Sequence, residues 1–191
     1  MDRVVAASKN PDKVREIEAV LSSVSPPIRV VHGIDWPEVE ETGASLAENA
    51  LAKARVASRA TGLPAIADDT GLEVDALDGA PGVRTSRFAG PDVSYADNVA
   101  ALLQAMEGRA ERAARFRTVI ALVTPDGEER VVEGVLEGWI TDVPRGESGF
   151  GYDPVFEVDG RTLAEIPPAE KNAISHRGRA LSALAALLGW T

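Results

Sequence analysis

Apolar residues recur along this chain with two periods, near two and near four, and the changes of period divide it into strands and helices. VVAAS, Val4 to Ser8, has strand character and passes into KNPDKVREIEAVLSS. There Asn10 is placed to cap a helix, Pro11 takes its first position, and Val14, Ile17 and Leu21 share a face. Ile28 to Ile34 predicts a second strand. Beyond an acidic segment, Ser45 and Glu48 form a capping box at the head of an alanine- and leucine-rich helix, which Gly62 and Pro64 end. Pro64 to Ala67 predicts a short buried strand that closes in Asp68, Asp69 and Thr70, with Gly71 as the turn. Ser94 and Asp97 box a third helix with Val99, Leu102 and Met106 on one face. Two long strands around an Asp126-Gly127 hairpin turn fill residues 115–140. Ser175 caps a last helix that carries Leu181, Leu184 and Leu188 inward.

Composition narrows what such an α/β chain can do. At 191 residues and 45% hydrophobic content it can bury a real core, of a size for one domain over residues 1–191 or for two lobes sharing a sheet. The absence of cysteine excludes disulfides, zinc-thiolate sites, iron–sulfur clusters and cysteine nucleophiles. No apolar run approaches the roughly 18 residues that span a bilayer, and MDRVVAAS turns polar too soon for a secretory signal, so a cytoplasmic protein without a membrane partner is expected. Twenty basic against 30 acidic residues, net −10, argue against a nucleic-acid partner, whose binding rests on phosphate neutralisation. Small anions remain open to it where cations and backbone N–H groups converge.

Four stretches offer candidate chemistry. The turn at Ser8, Lys9, Asn10 and Lys13 sits between a strand and a helix N-terminus, where dipole and side-chain donors favour an anion. Glu38, Glu40 and Glu41 lead into the helix that bears Lys53. Asp68 and Asp69 end a strand, and adjacent strand residues face opposite ways, so one of them faces a given site while the other caps or orients. With Glu40 nearby, this oxygen-only set suits Mg²⁺, which takes one or two carboxylates and fills its sphere with water and phosphate. Lastly, ESGFGYDPVFEVDG, residues 147 to 160, gathers Phe150, Tyr152 and Phe156 among glycines in a chain only 5% aromatic. Each stretch alone also has a bland reading: an αβ unit without ligand, a solvated acidic face, an Asx turn, or rings packed in the core.

Taken together, SKNPDK, EETG with ENALAKA, ADDTGL with GAPGV, GFGYDPVF, and EKNAISHRG before a helix follow the order and spacing of the inosine triphosphate pyrophosphatase family, also called XTP/dITP diphosphatases. The resemblance runs through nearly the whole chain, and all four lysines (Lys9, Lys13, Lys53 and Lys171) fall in or beside these motifs. It implies an elongated mixed central sheet flanked by helices, in two lobes with the active-site cleft between them, and a homodimer. It further implies hydrolysis of deaminated purine nucleoside triphosphates (ITP, dITP and XTP) to the monophosphate and pyrophosphate, which cleanses the nucleotide pool. By the same resemblance Asp69 is the catalytic carboxylate, and Glu40 and Asp69 hold Mg²⁺, with Asp68 as a further candidate ligand. Ser8, Lys9, Asn10, Lys13, Lys53 and Thr70 hold the triphosphate; Phe150, Gly151, Tyr152 and Asp153 form one wall for the base, and Lys171, His176 and Arg177 the other. Arg177 is expected to donate to the purine 6-oxygen. Two other functions stay open: a related pyrophosphatase for other modified nucleotides, and a nucleotide-binding module without catalysis.

Overall fold

A computed structural model of the chain describes residues 1–190. In chain order its elements are β1 (Arg3–Ala6), α1 (Pro11–Ser23), β2 (Arg29–Val31), α2 (Leu46–Thr61), β3 (Ala65–Val74), β4 (Pro81–Gly82), α3 (Tyr95–Ala105), β5 (Ala113–Val123), β6 (Glu129–Ile140), β7 (Phe156–Val158), β8 (Arg161–Thr162), α4 (Pro168–Ile174) and α5 (His176–Leu188). The strands order as β2-β1-β3-β5-β6-β7-β8, with β4 on β3, in one mixed sheet of eight. β1 runs parallel to β2 and β3, as helical crossovers require, whereas β4, β7 and β8 pair antiparallel.

The chain divides into two compact units, residues 1–69, 118–134 and 175–191 in the first and 70–117 with 135–174 in the second. In the first, Val4, Ala6, Ile66, Ile120 and Leu122 from the sheet meet Ile17 and Leu21 of α1 and Ala180, Leu181 and Leu184 of α5. The second has its own core, in which Leu72, Val74, Phe116, Leu136 and Phe156 pack with Val99, Leu102 and Met106 of α3. Each Leu, Ile or Phe fully withdrawn from water contributes about 1.5–3 kcal/mol.

The expected helix heads form. Asn10 accepts from the amides of Asp12 and Lys13, Ser94 and Asp97 cap each other, and Ser175 accepts from Gly178. At Ser45 only half of the expected box exists: its hydroxyl takes the Glu48 amide, but the Glu48 carboxylate accepts from Ala44 instead. Two strand expectations need correction. β3 continues through Asp68, Asp69, Thr70 and Gly71 to Val74 rather than turning there, because Leu72 and Val74 resume a buried alternation that glycine does not interrupt. The link between β5 and β6 is a five-residue loop, 124–128, closed by Thr124 on Glu128 and Gly127, rather than a two-residue turn.

One glycine of β6 is needed for contact rather than for backbone freedom. A Cβ on Gly134 would lie 2.1 Å from the carbonyl oxygen of His176 and 2.4 Å from the amide of Ala180, both backbone atoms of α5. Gly134→Ala is therefore expected to destabilise by about 1–3 kcal/mol or more, as overpacking against unyielding backbone does. A thermal melt reads it as a loss of several degrees.

Candidate active site

Adjacent residues of a strand point to opposite faces, and β3 uses this to send two buried carboxylates into different surroundings. Asp68 is 0% exposed and Asp69 5%. Burying a carboxylate is costly unless cations or donors surround it, so the partners of each define its role.

Asp69 faces α2. The buried stripe of that helix, Leu46, Asn49, Ala50, Lys53, Ala54 and Ala57, includes two polar residues one turn apart, and both reach the carboxylate. Lys53 Nζ lies 3.3 Å from Asp69 Oδ1, and Asn49 Nδ2 donates to Oδ2 at 3.0 Å. The Lys53 ammonium has three donors, and the others go to Glu41 Oε1 at 2.7 Å and the Asp68 carbonyl at 2.6 Å. Burial pushes the Asp69 pKa up; Lys53 opposes this and Glu41 adds to it, and the balance is a raised value. For Lys53, burial acts against the charge, but Asp69, Asp68 and Glu41 together hold its pKa above the ordinary value.

Asp68 faces α1 and α5. Lys13 Nζ stands 3.1 Å from Asp68 Oδ2, and the Arg177 guanidinium gives Nε at 3.1 Å and Nη2 at 3.0 Å to the same oxygen. Arg177 Nη1 turns to Glu16, which completes a cluster of two cations and two anions with Asp68 and Arg177 buried and Lys13 and Glu16 partly so. Burial would raise the Asp68 pKa, but Lys13, Arg177 and Lys53 overcome it and hold the carboxyl far below the usual carboxylate range. Two consecutive aspartates thus have opposite tendencies: cations hold the Asp68 pKa down, and burial with Glu41 pushes that of Asp69 up.

Several expected ligand residues have other engagements. The Asn10 side chain closes the first turn of α1, so it takes two of the amides that would otherwise face an anion, and Ser8 Oγ accepts from the Asn10 amide. Lys9 lies over the Trp36 ring, 4.5 Å from its centroid, and donates to Asp35 and the Trp36 carbonyl. Glu40 is exposed and forms no ion pair among the described residues; its neighbour Glu41 is the loop carboxylate brought to Lys53 and Asp69. Arg177, expected to donate to a purine oxygen, is only 2% exposed, and its Nε, Nη1 and Nη2 are all directed at carboxylates. His176 is likewise buried and pairs through Nδ1 with the Thr118 hydroxyl at 2.6 Å.

The aromatic loop belongs to the second unit. Phe150 is half-buried and sits 5.9 Å from the ring of Tyr95 at the head of α3. Lys171 Nζ lies 4.9 Å from the Phe150 centroid and donates to Asp153 Oδ2 at 2.6 Å, and that oxygen also accepts the Phe150 amide. Gly149 has φ 79°, and a Cβ there would meet Asp153 Oδ2 at 2.1 Å, so glycine is needed for the loop to close on this carboxylate. Gly151, φ 65°, permits the next turn. Tyr152 is buried and its hydroxyl donates to the Thr85 carbonyl, and burial raises its pKa. Tyr152 and Asp153 therefore brace the loop from beneath, whereas Phe150 offers surface. Thr70 follows Asp69 along β3 and is half-buried.

The Asp69 cluster fits a hard divalent cation. It holds two carboxylates, Asp69 and Glu41, against one ammonium, and their mutual repulsion contributes to the raised Asp69 pKa. Among the described residues no group of three or more His, Cys, Asp or Glu converges as a cage. A divalent cation held by one or two carboxylates fills its remaining positions with water and substrate oxygens. Glu16 and Asn49 join these clusters without belonging to any candidate set in the sequence, and Glu41 takes the place expected of Glu40. For Asn49 a signal existed, since a polar residue in an apolar helical stripe four positions before Lys53 has to find a buried partner.

Residues 4–187 match the Ham1 family. The chain is 50% identical over 195 residues to a dITP/XTP pyrophosphatase of Geobacter sulfurreducens, covering 100% of this chain and 98% of that protein. It is 51% identical to the dITP/XTP pyrophosphatase of Methylococcus capsulatus, with 97% and 96% covered. The solved structure of a HAM1 protein from Coxiella burnetii superimposes with a TM-score of 0.88 at 44% identity, over 99% of both chains.

Proposed function

The chain belongs to the Ham1 family, and on that premise we propose that it hydrolyses deaminated purine nucleoside triphosphates (dITP, ITP and XTP) to the nucleoside monophosphate and pyrophosphate. The observation that carries the chemistry is the pair of adjacent buried β3 carboxylates on opposite faces, Asp68 on Lys13 and Asp69 on Lys53. Breaking a phosphoric anhydride calls for neutralisation of phosphate charge and an aligned water more than for a protein nucleophile. Lys13, at the head of α1, supplies positive charge, and Ser8 and Thr70 supply hydroxyls for phosphate oxygens. Asp69 orients the attacking water and accepts its proton. Glu41 and Asp69 would hold Mg²⁺, which when bound adds Lewis-acid charge on the phosphate oxygens. Arg177 and Lys13 keep Asp68 ionised, and Glu16 holds the Arg177 guanidinium from its other side.

We assign base recognition to the second unit. Phe150 stacks on the purine, and Lys171, the cation nearest its ring, faces the 6-oxygen that adenine lacks. Phe150→Ala is expected to lower kcat/KM for dITP and dATP alike by about 5- to 150-fold, the effect of losing about 1–3 kcal/mol of stacking. Steady-state kinetics on both substrates would show a ratio that stays within about threefold.

The raised pKa of Asp69 sets the sign of the pH dependence. In the metal-free protein Asp69 is expected to take up its proton at a higher pH than an ordinary aspartate, and because Glu41 contributes to the rise, Glu41→Gln is expected to move that uptake to lower pH. An NMR titration of the Asp69 carboxyl in the metal-free wild type and variant measures it, and equal midpoints would contradict it.

The whole chain is taken as one functional domain, since the family match runs through both units. Trp139 and Val143, 54% and 61% exposed, would give a homodimer apolar surface to cover. No helix among the described residues is long and apolar enough to cross a membrane, and the cytoplasm, where nucleotide pools lie, is the proposed compartment. A panel of dITP, ITP, XTP, dATP, dGTP and modified pyrimidine triphosphates tests the substrate class. Preference for the 6-oxo purines is expected, and a pyrimidine preference would favour the related pyrophosphatase instead.

A further inference from the structure

The carboxylate of Asp69 has a soft terminal torsion, because an sp³–sp² rotation such as χ2 of aspartate has broad, two-fold wells. Lys53 alone does not fix it, since an ammonium can follow either oxygen. What separates the two oxygens is Asn49, which is 2% exposed and donates from Nδ2 to Asp69 Oδ2 at 3.0 Å while Lys53 stands on Oδ1. The amide cannot be reversed. Its Oδ1 accepts the Gly43 amide at 2.8 Å, and a backbone N–H only donates, so the NH₂ end must face Asp69. The approach of Gly43 is close: a Cβ there would lie 2.5 Å from Asn49 Oδ1. One side-chain amide thereby ties the strand that bears Asp69 to the loop that bears Glu40 and Glu41.

We propose that Asn49 is a positioning residue for the reaction: it sets the orientation of the Asp69 carboxylate and holds the Glu41 loop in register with it. This rests on the reading of Asp69 as the reacting carboxylate. Donation from Nδ2 leaves the outward lone pairs of Asp69 directed at water or metal, and anchoring through Gly43 keeps Glu41 within reach of the same position. Removal of a hydrogen-bonding partner that orients a metal-binding carboxylate typically costs about 10- to 100-fold in metal affinity or activity.

The test compares wild type, Asn49→Ala, Asn49→Asp and Asp69→Asn in three measurements: dITP kinetics, Mn²⁺ binding without nucleotide by electron paramagnetic resonance, and thermal unfolding. Asn49→Ala is expected to lose about 10- to 100-fold in kcat with KM within about threefold, and to bind Mn²⁺ about 10-fold more weakly. Asn49→Asp keeps an acceptor for the Gly43 amide, and with it the loop anchor, but loses the donor to Asp69. Its kcat is expected to fall at least as far as that of Asn49→Ala. A folded Asn49→Asp with wild-type kcat overturns the proposal, as does wild-type kcat in Asn49→Ala; if Asn49→Ala does not fold, Asn49→Asp decides. Wild-type turnover in Asp69→Asn would instead remove the reading of Asp69, and the role of Asn49 with it. An inactive Asp69→Asn beside fully active Asn49 variants would sink the positioning role alone.

Discussion

Asp69→Asn is expected to lower kcat for dITP by at least about 10²- to 10⁴-fold, the usual cost of removing a general base, with a further loss from the missing metal ligand. The amide keeps the shape of the side chain but accepts no proton at neutral pH. Stability should move the other way. Burial raises the pKa of Asp69, which means that the ionised form is held at a cost in the folded state. A neutral amide removes that cost, and Lys53 retains Glu41 and the Asp68 carbonyl as partners. The melting temperature should therefore stay equal or rise while activity disappears, a trade expected where an active site is kept electrostatically strained. A variant with near wild-type rates would take Asp69 out of the chemistry.

Arg177→Ala is expected to act on stability first. It deletes the guanidinium between Asp68 and Glu16 and leaves the fully buried Asp68 carboxylate to its ion pair with Lys13. Breaking a buried ion pair by removing one partner typically costs about 3–5 kcal/mol. For a chain of this length that corresponds to a drop of about 6–20 °C in Tm. The penalty depends on pH. Asp68 has a depressed folded pKa, so its contribution is complete above the ordinary value of 3.8 and is lost as pH falls toward the folded one. The difference between wild type and variant should narrow in acid. Catalytically, ITP and ATP should decline together, because a residue that holds Asp68 and Lys13 serves the phosphate side whatever the base. A selective loss of ITP turnover would restore Arg177 to base recognition.

These two variants also mark where sequence reasoning succeeds and where it stops. Local signals carried the fold: Asn10 with Pro11, Ser94 with Asp97, Ser175, and the period-four stripes of Ile17 and Leu21 or Leu181 and Leu184 all depend on residues within a turn or two of each other, and all formed. Asp68 and Asp69 were legible as two acids with different roles, since strand alternation alone separates them. What escaped was set by partners distant in sequence. Arg177 meets Asp68 across 109 positions and Glu16 across 161, and no spacing rule reveals that its donors are engaged. Between Glu40 and Glu41 a shift of one residue along an irregular loop decides which carboxylate meets Lys53, and no periodicity fixes it there. The extension of β3 past Gly71 has a related cause: glycine signals a turn locally, and the pairing of Leu72 with Gly82 on β4 is a tertiary fact. The bond from the Tyr152 hydroxyl to the Thr85 carbonyl, 67 positions away, is equally invisible to local pattern.

The site of bond cleavage is the central claim, and ³¹P NMR of the products measures it directly. With dITP, Mg²⁺ and the whole chain, the account predicts one dIMP and one pyrophosphate per turnover, with no orthophosphate and no dIDP at any time. Appearance of dIDP with orthophosphate would mean that the terminal anhydride is cut instead, and would contradict the assignment of the Asp69 cluster to cleavage between the α and β phosphorus atoms.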